Sequence, residues 1–131
     1  NSHTENYRQE VLDLVNAQRA KYGLTALEMG DDDLTAAAQT RAEEIAVVNS
    51  HVRPDGSKCF TVLKDYGVTD TPTGENAAWG SVSPEEVVNA WMNSEGHRAN
   101  ILNPEARKMS VGYYYNSNST WGHQWIQIFT K

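Results

Sequence analysis

The stretch Trp91–Leu102, WMNSEGHRANIL, places a histidine directly after a glycine, among residues too bulky for a solvent-exposed loop. Two upstream segments carry similar chemistry, Ser50–Gly56 (SHVRPDG) and Gly74–Asn76 (GEN). Together the three segments contribute two histidines, His51 and His97, and the glutamates Glu75 and Glu95. The three segments lie far apart in the sequence, so only a fold could bring them together.

Length and composition indicate one compact domain spanning residues 1–131. The chain has 131 residues, 39% of them hydrophobic, and no apolar run approaches the roughly 18 residues that a membrane helix needs. Eleven basic against 17 acidic residues give a formal charge of -6. The bases are also scattered, so we do not expect nucleic-acid binding. The absence of a long apolar run likewise predicts no transmembrane segment.

The beginning of the chain and its single cysteine bear on where the protein works. The sequence has no initiator methionine, and the polar start Asn1–Thr4 is typical of trimming, so we expect a longer precursor. Cys59 is the only cysteine, which excludes an internal disulfide but leaves export open.

Local patterns predict helices in the first half of the chain. Apolar residues at helical spacing up to Gly23 predict a helix over Glu5–Tyr22. Asp31–Asp33 supply a cap and acids for a second helix, whose small inward residues predict close packing against another element. Turn residues follow the second helix, and a short helix is predicted over Phe60–Tyr66. The face of the second helix comprises Leu34, Ala37, Ala38, Arg41, Ala42 and Ile45.

The second half combines a capped helix with strands. Ser83–Glu86 has the form of a capping box with proline at the first helical position, which predicts a helix over Pro84–Asn93. A short strand is predicted over Asn76–Trp79, and alternating aromatic runs at Met109–Tyr115 and Gln124–Phe129 predict an antiparallel hairpin. The class is therefore α+β, with helices packed on an antiparallel sheet.

The residues alone leave the chemistry open. A lone histidine is by default one that hydrogen-bonds the backbone, and that interpretation applies to both His51 and His97. Glu75 is harder to dismiss, because Gly74 opens the backbone beside it. Two histidines and a carboxylate can bind Zn²⁺, but the spacing lacks the H-E-x-x-H pattern.

Three further residues are candidates with simpler alternatives. Gly96 is predicted to end the third helix, with Glu95 on its inward face near His97; the alternative is a last-turn residue in solvent. Glu86 is a competing acid whose simpler role is the capping box. Cys59 could be a nucleophile if a helix begins after it, although a small buried residue is commoner.

The ordered motifs resemble the CAP superfamily, which comprises the cysteine-rich secretory, antigen 5 and pathogenesis-related 1 proteins, and most closely its bacterial secreted branch. The resemblance covers nearly the whole chain, and the combination is specific where each motif alone is weak. The matching segments are Asn16–Arg19, Gly23–Leu24, Ala42–Glu43, Ser50–Gly56, Gly74–Asn76, Trp91–Leu102, Val111–Gly112 and Trp125–Phe129.

The resemblance implies a three-layer α-β-α sandwich with a central antiparallel sheet and a cleft of two histidines and two glutamates. In some members this cleft binds a divalent metal. His51, Glu75 and His97 match the cleft set, with His51 and His97 as the metal ligands. The second glutamate position is Ser94 here, and Glu95 is taken as its substitute. The single cysteine and the direct run from Trp91 to His97 also depart from eukaryotic members, whose lipid binding is therefore not transferred.

These observations favour a secreted or cell-envelope binding module over an enzyme. The cleft would hold Zn²⁺ or another divalent cation, and the ligand would be a small molecule, lipid, peptide or cell-wall fragment bound by a monomer. The alternative is a metal-assisted hydrolase in which Glu75 or Glu95 acts as general base. A third interpretation makes the two histidines a buried structural cluster.

Overall fold

The structure, a computed structural model, describes residues 2–48, 50–119 and 122–131. These residues form five helices and four strands. The helices are α1 (Ser2–Lys21), α2 (Asp32–Ile45), α3 (Thr61–Asp65), α4 (Pro84–Met92) and α5 (Glu95–Ile101), and the strands are β1 (Glu28–Met29), β2 (Pro72–Trp79), β3 (Lys108–Tyr115) and β4 (His123–Thr130).

The four strands form one sheet in the order β1-β3-β4-β2. β4 pairs antiparallel with both β3 and β2, so the predicted hairpin and the antiparallel centre are confirmed. The two-residue strand β1, which the sequence patterns did not indicate, pairs parallel with β3 at the edge. β2 forms the opposite edge of the sheet.

Helices cover both faces of the sheet, which confirms the three-layer α-β-α architecture. One hydrophobic cluster joins α1 and α4 to one face through residues such as Val15, Trp91 and Trp125. The other joins α2 and α3 to the opposite face through Ala38 and Ile128, among others. Alternate residues of a strand point to opposite faces, so β4 contributes to both clusters. None of the helices in the described ranges has the length and apolar character needed to span a bilayer.

The predicted helix starts are confirmed by their caps. The Asp31 carboxylate accepts a hydrogen bond from the backbone N–H of Leu34 at 2.9 Å and so caps α2. The Ser83 hydroxyl accepts one from the N–H of Glu86 at 3.1 Å and caps α4, with Pro84 at the first position. Side-chain oxygens at these positions satisfy donors that a helix start leaves unpaired.

The third helix ends within one residue of the predicted Asn93, and the expectation that Gly96 could end it is wrong. α4 stops at Met92, the backbone turns extended at Ser94 (φ -115°, ψ 123°), and a separate helix, α5, begins at Glu95. Gly96 is the second residue of that helix. Ser94 occupies the N-cap position of α5, although its side chain makes no capping hydrogen bond to the backbone. Glu95 consequently lies exposed in the first turn of α5 and not on the inward face of α4.

The strand before α4 is longer than the sequence indicates. It was predicted over Asn76–Trp79 and begins instead at Pro72. Gly74 and Glu75 therefore belong to the strand, which has a register shift between Pro72 and Gly74. The extra residues pair with the end of β4, a long-range interaction that no local pattern contains.

Candidate functional site

The centre of the site is a buried ion pair between strand β2 and helix α2. The Glu75 side chain is 1% exposed and the Arg41 side chain 0%. Arg41 Nε donates to Glu75 Oε2 at 2.9 Å, and Arg41 Nη2 donates to Glu75 Oε1 at 3.1 Å. This bidentate pairing orients the carboxylate as well as neutralising it.

His51 completes the pair on its outer side. Its Nδ1 lies 2.7 Å from Glu75 Oε1, while 53% of the side chain is exposed. Because the ionised carboxylate can only accept, Nδ1 carries the proton and Nε2 is the nitrogen not used in this bond. A half-exposed ring fixed by a buried carboxylate does not fit a purely structural, buried histidine cluster.

The contacts of Glu75 hold its pKa below the ordinary value of 4.5. Burial by itself raises this pKa, but the hydrogen bonds from His51 and Arg41, together with their charges, outweigh it. The carboxylate is therefore ionised at neutral pH and is a weak base. This environment suits a residue that positions a ring better than one that accepts a proton from water.

A chain of charges anchors the loop that carries His51. Glu44 accepts from Arg41 Nη1 at 2.9 Å and from Arg53 Nη2 at 2.7 Å. Arg53 also donates to Asp65 at 2.8 Å, and Arg41 donates to the carbonyl of Ser50 at 3.0 Å. These bonds tie the loop to α2 and α3 on both sides of His51.

The second histidine, His97, lies on helix α5. Its Nδ1 lies 2.9 Å from the hydroxyl of Ser94, so the N-cap residue holds the ring and makes no capping bond to the backbone. Burial, and then the nearby charge of His51, lower the pKa of His97 from its ordinary value of 6.5. The two rings therefore lie close enough for the charge of one to affect the other.

The two remaining acids lie apart from this cluster. Glu95 is exposed and lines a depression of about 610 Å³. In the described part of the chain, no hydrogen bond or ion pair joins Glu95 to either imidazole. Glu86 is exposed at the start of α4, where its N–H takes part in the cap. The other residues around the depression are Met92, Asn93, Arg98, Ala99 and Leu102.

The side chains that could bind a metal ion here are the two imidazoles. Within residues 2–48, 50–119 and 122–131, no group of three or more histidine, cysteine, aspartate or glutamate side chains is placed to hold a metal ion. Both oxygens of Glu75 are already engaged by Arg41 and His51. The nitrogens left for a ligand are Nε2 of His51 and Nε2 of His97.

Reasoning from the residues missed Arg41 and Ser94 as parts of the site. Arg41 was placed on the inward face of α2 by its spacing, and a fully buried arginine almost always has an acidic or carbonyl partner. That rule predicts that Arg41 has a partner, but only the fold shows that the partner is Glu75. In the sequence Ser94 stands only at the position of the missing second glutamate. In the structure its hydroxyl holds the ring of His97.

Cys59 is buried beside this cluster and is unsuited to nucleophilic chemistry. Burial, and secondly the charge of Glu75, raise the pKa of the Cys59 thiol to about 11. The helix that follows, α3, has only five residues and begins at Thr61. The thiolate, which is the reactive form, is therefore scarce at neutral pH.

We expect Cys59 in the folded protein to react with iodoacetamide at pH 8 at least about 100-fold more slowly than in the urea-unfolded protein. A rise from the ordinary pKa of 9.0 to about 11 reduces the thiolate fraction by two powers of ten, and burial slows access further. Mass spectrometry of timed samples measures the rate. Equal rates in folded and unfolded protein would contradict the assigned environment.

Comparison with known proteins decides the family. A family model described as the cysteine-rich secretory protein family, CAP, matches residues 12–129. The chain belongs to the CAP family. The matched range contains His51, Glu75 and His97 as well as all four strands except the final residue of β4.

Two relatives, one from a bacterium and one from a plant, agree with the family assignment. The chain is 42% identical over 122 residues to the protein YkwD of Bacillus subtilis (strain 168), covering 92% of this chain and 47% of YkwD. It is 30% identical over 115 residues to pathogenesis-related protein 1C of Nicotiana tabacum, covering 86% of this chain and 59% of that protein. The chain thus spans about half the length of these CAP relatives.

Solved structures support the fold. An extracellular protein containing an SCP domain from Bacillus anthracis str. Ames superposes with a TM-score of 0.85 at 26% identity. The match covers 98% of this chain and 41% of that one. The CAP fold expected from the motifs is therefore confirmed.

Proposed function

We propose that this CAP domain is a binding module that works outside the cell or at its envelope, and that its cleft holds a divalent cation between His51 and His97. The similarity to a protein described as extracellular supports the location. A shared fold is an argument by analogy for function, so the proposal for the cleft depends on its own residues.

The observation that carries the proposal is the engagement of both Nδ1 atoms. Nδ1 of His51 is bonded to Glu75 and Nδ1 of His97 to Ser94, which leaves Nε2 on each ring. Metal-binding histidines commonly use one nitrogen for the metal and the other for a carboxylate or another polar group that fixes the ring. Imidazole suits Zn²⁺ and other divalent transition metals.

Two protein ligands leave coordination positions for water and for a bound molecule. Glu75 would steady His51 and would not itself be a ligand, because its oxygens are engaged. Peptides and cell-wall fragments carry oxygen donors that could occupy the open positions. The low pKa of Glu75 makes it a poor general base, so we favour binding over metal-assisted hydrolysis.

We expect Zn²⁺ to bind the wild type in isothermal titration and to give no binding heat with the double variant His51→Ala, His97→Ala. Loss of both imidazoles removes both protein ligands. The matched control is His123→Ala, because His123 is a partly buried histidine on the hairpin, bonded to the Tyr113 hydroxyl at 2.6 Å. This control should bind Zn²⁺ as the wild type does.

Equal heats in the wild type and the double variant would remove the cation from the proposal. Incubation with peptides and cell-wall fragments, with and without a chelator, addresses the alternative. If the domain is a binding module, none of these substrates should be cleaved. Cleavage that stops when the chelator is added would instead favour the hydrolase.

A further inference from the structure

Strand β2 holds both walls of the cleft through consecutive residues that point to opposite faces. Glu75 points toward α2 and binds the ring of His51. The next residue, Asn76, is fully buried, and its Nδ2 donates to the backbone carbonyl of His97 at 3.1 Å. The strand thus bonds the side chain of His51 and the backbone carbonyl of His97.

The Asn76 amide is fixed within a network of three amides, of which Asn76 and Gln127 are fully buried. Its Nδ2 also donates to Gln127 Oε1 at 3.1 Å, and its Oδ1 accepts from Asn100 Nδ2 at 2.9 Å. Gln127 lies on β4, and Asn100 lies one turn after His97 on α5. Because buried amides are costly to leave unpaired, this network specifies one position of α5 against the sheet.

Gly74 gives α5 the space for this approach. A Cβ on Gly74 would lie 2.4 Å from Asn100 Oδ1 and 2.7 Å from Asn100 Cγ. Asn100 Nδ2 also donates to the carbonyl of Glu75 at 3.4 Å. Each residue of the Gly74–Asn76 segment therefore has a separate role in placing the cleft walls.

We infer that Asn76 is a positioning residue for His97 and that the pair Glu75 and Asn76 sets the separation of the two imidazoles. This inference rests on the proposed function for its consequence in binding, but its geometry does not involve the cation. Loss of the Asn76 amide frees the carbonyl of His97 and lets α5 shift. The His51 ring, held by Glu75 on the other face, should keep its place.

We expect Asn76→Ala to weaken Zn²⁺ binding about 10- to 100-fold, the usual effect of losing a residue that orients a metal ligand. Isothermal titration measures this loss. The matched control is Asn16→Ala, since Asn16 also forms two bonds to backbone atoms, to the carbonyl and the N–H of Leu27, but lies on α1. Its Zn²⁺ affinity should equal that of the wild type.

A second measurement separates positioning from the cation itself. In the metal-free protein, long-range ¹H–¹⁵N spectra of the imidazoles should show that Asn76→Ala moves the signals of His97 and leaves those of His51. Gly74→Ala should produce the same selective change, because it displaces Asn100 without touching the Asn76 side chain. Asn16→Ala should move neither histidine.

The two measurements fail in different ways. If the wild type binds no Zn²⁺ but the His97 signals move selectively, the proposed cation is wrong and the positioning role stands. Unchanged His97 signals in both Asn76→Ala and Gly74→Ala would overturn the positioning role. Equal movement of both histidines would overturn it too, because that result describes a general loosening of the fold.

Discussion

Replacing Arg41 with leucine is expected to lower the free energy of unfolding by about 3–5 kcal/mol at pH 7, the usual loss when one partner of a buried ion pair is removed. The guanidinium is fully buried and donates to Glu75, Glu44 and the Ser50 carbonyl. Leucine fills part of the space but leaves the Glu75 carboxylate, 1% exposed, without its main counter-charge. Urea denaturation followed by circular dichroism measures the loss.

The effect of Arg41→Leu should depend on pH in a direction that identifies its cause. In the wild type, the pKa of Glu75 lies below 4.5, so its stabilising contribution is present above pH 4.5 and is lost as pH falls through the folded pKa. Without Arg41, burial should raise the pKa of Glu75 above its unfolded value. Stability is then lost as pH rises through that raised pKa, so the deficit of the variant should grow between pH 4 and pH 7.

A second buried arginine provides the control. Arg19 is also 0% exposed, but it donates hydrogen bonds to the carbonyl oxygens of Thr25, Ile101 and Asn103. Arg19→Leu should also lower the free energy of unfolding, but this loss should not grow with pH, because no carboxylate loses its counter-charge. If the deficit of Arg41→Leu stayed constant from pH 4 to pH 7, the buried charge would not be its source.

The parts of the fold that follow from sequence are those fixed by neighbouring residues. The cap at Asp31 and the cap at Ser83 depend on contacts three residues away, and both helix starts were correctly predicted. The hairpin follows from alternation within each strand. The break at Ser94 was missed because the backbone turns extended there without a side-chain capping bond that a local pattern could predict.

The site depends on contacts that sequence spacing does not contain. His51, Glu75 and His97 were proposed together through a family resemblance, since no short metal-ligand pattern links them. Their arrangement requires β2 to pair with β4 and α2 to pack on the sheet, so that Arg41 meets Glu75. A burial pattern could demand a partner for Arg41, but only the tertiary structure selects it.

Gly112→Ala is the second large effect, expected to lower the free energy of unfolding by about 3 kcal/mol, at the upper end of the usual cost of overpacking a core. A Cβ on Gly112 would lie 2.1 Å from the carbonyl oxygen of Ala38 and 2.7 Å from Cα of Gln39. These are backbone atoms of α2, so no side-chain rotation relieves the clash. The close packing predicted from the alanines of α2 therefore depends on a glycine in β3.

Gly96→Ala is the matched control for this prediction and has the opposite sign. A Cβ on Gly96 meets nothing within 4 Å, and the residue lies in α5 with ordinary helical geometry. Alanine there should leave stability unchanged or raise it by up to about 1 kcal/mol, because it restricts the unfolded chain and favours the helix. Urea denaturation of both variants decides: equal stability changes would show that α2 can move away from β3 at little cost.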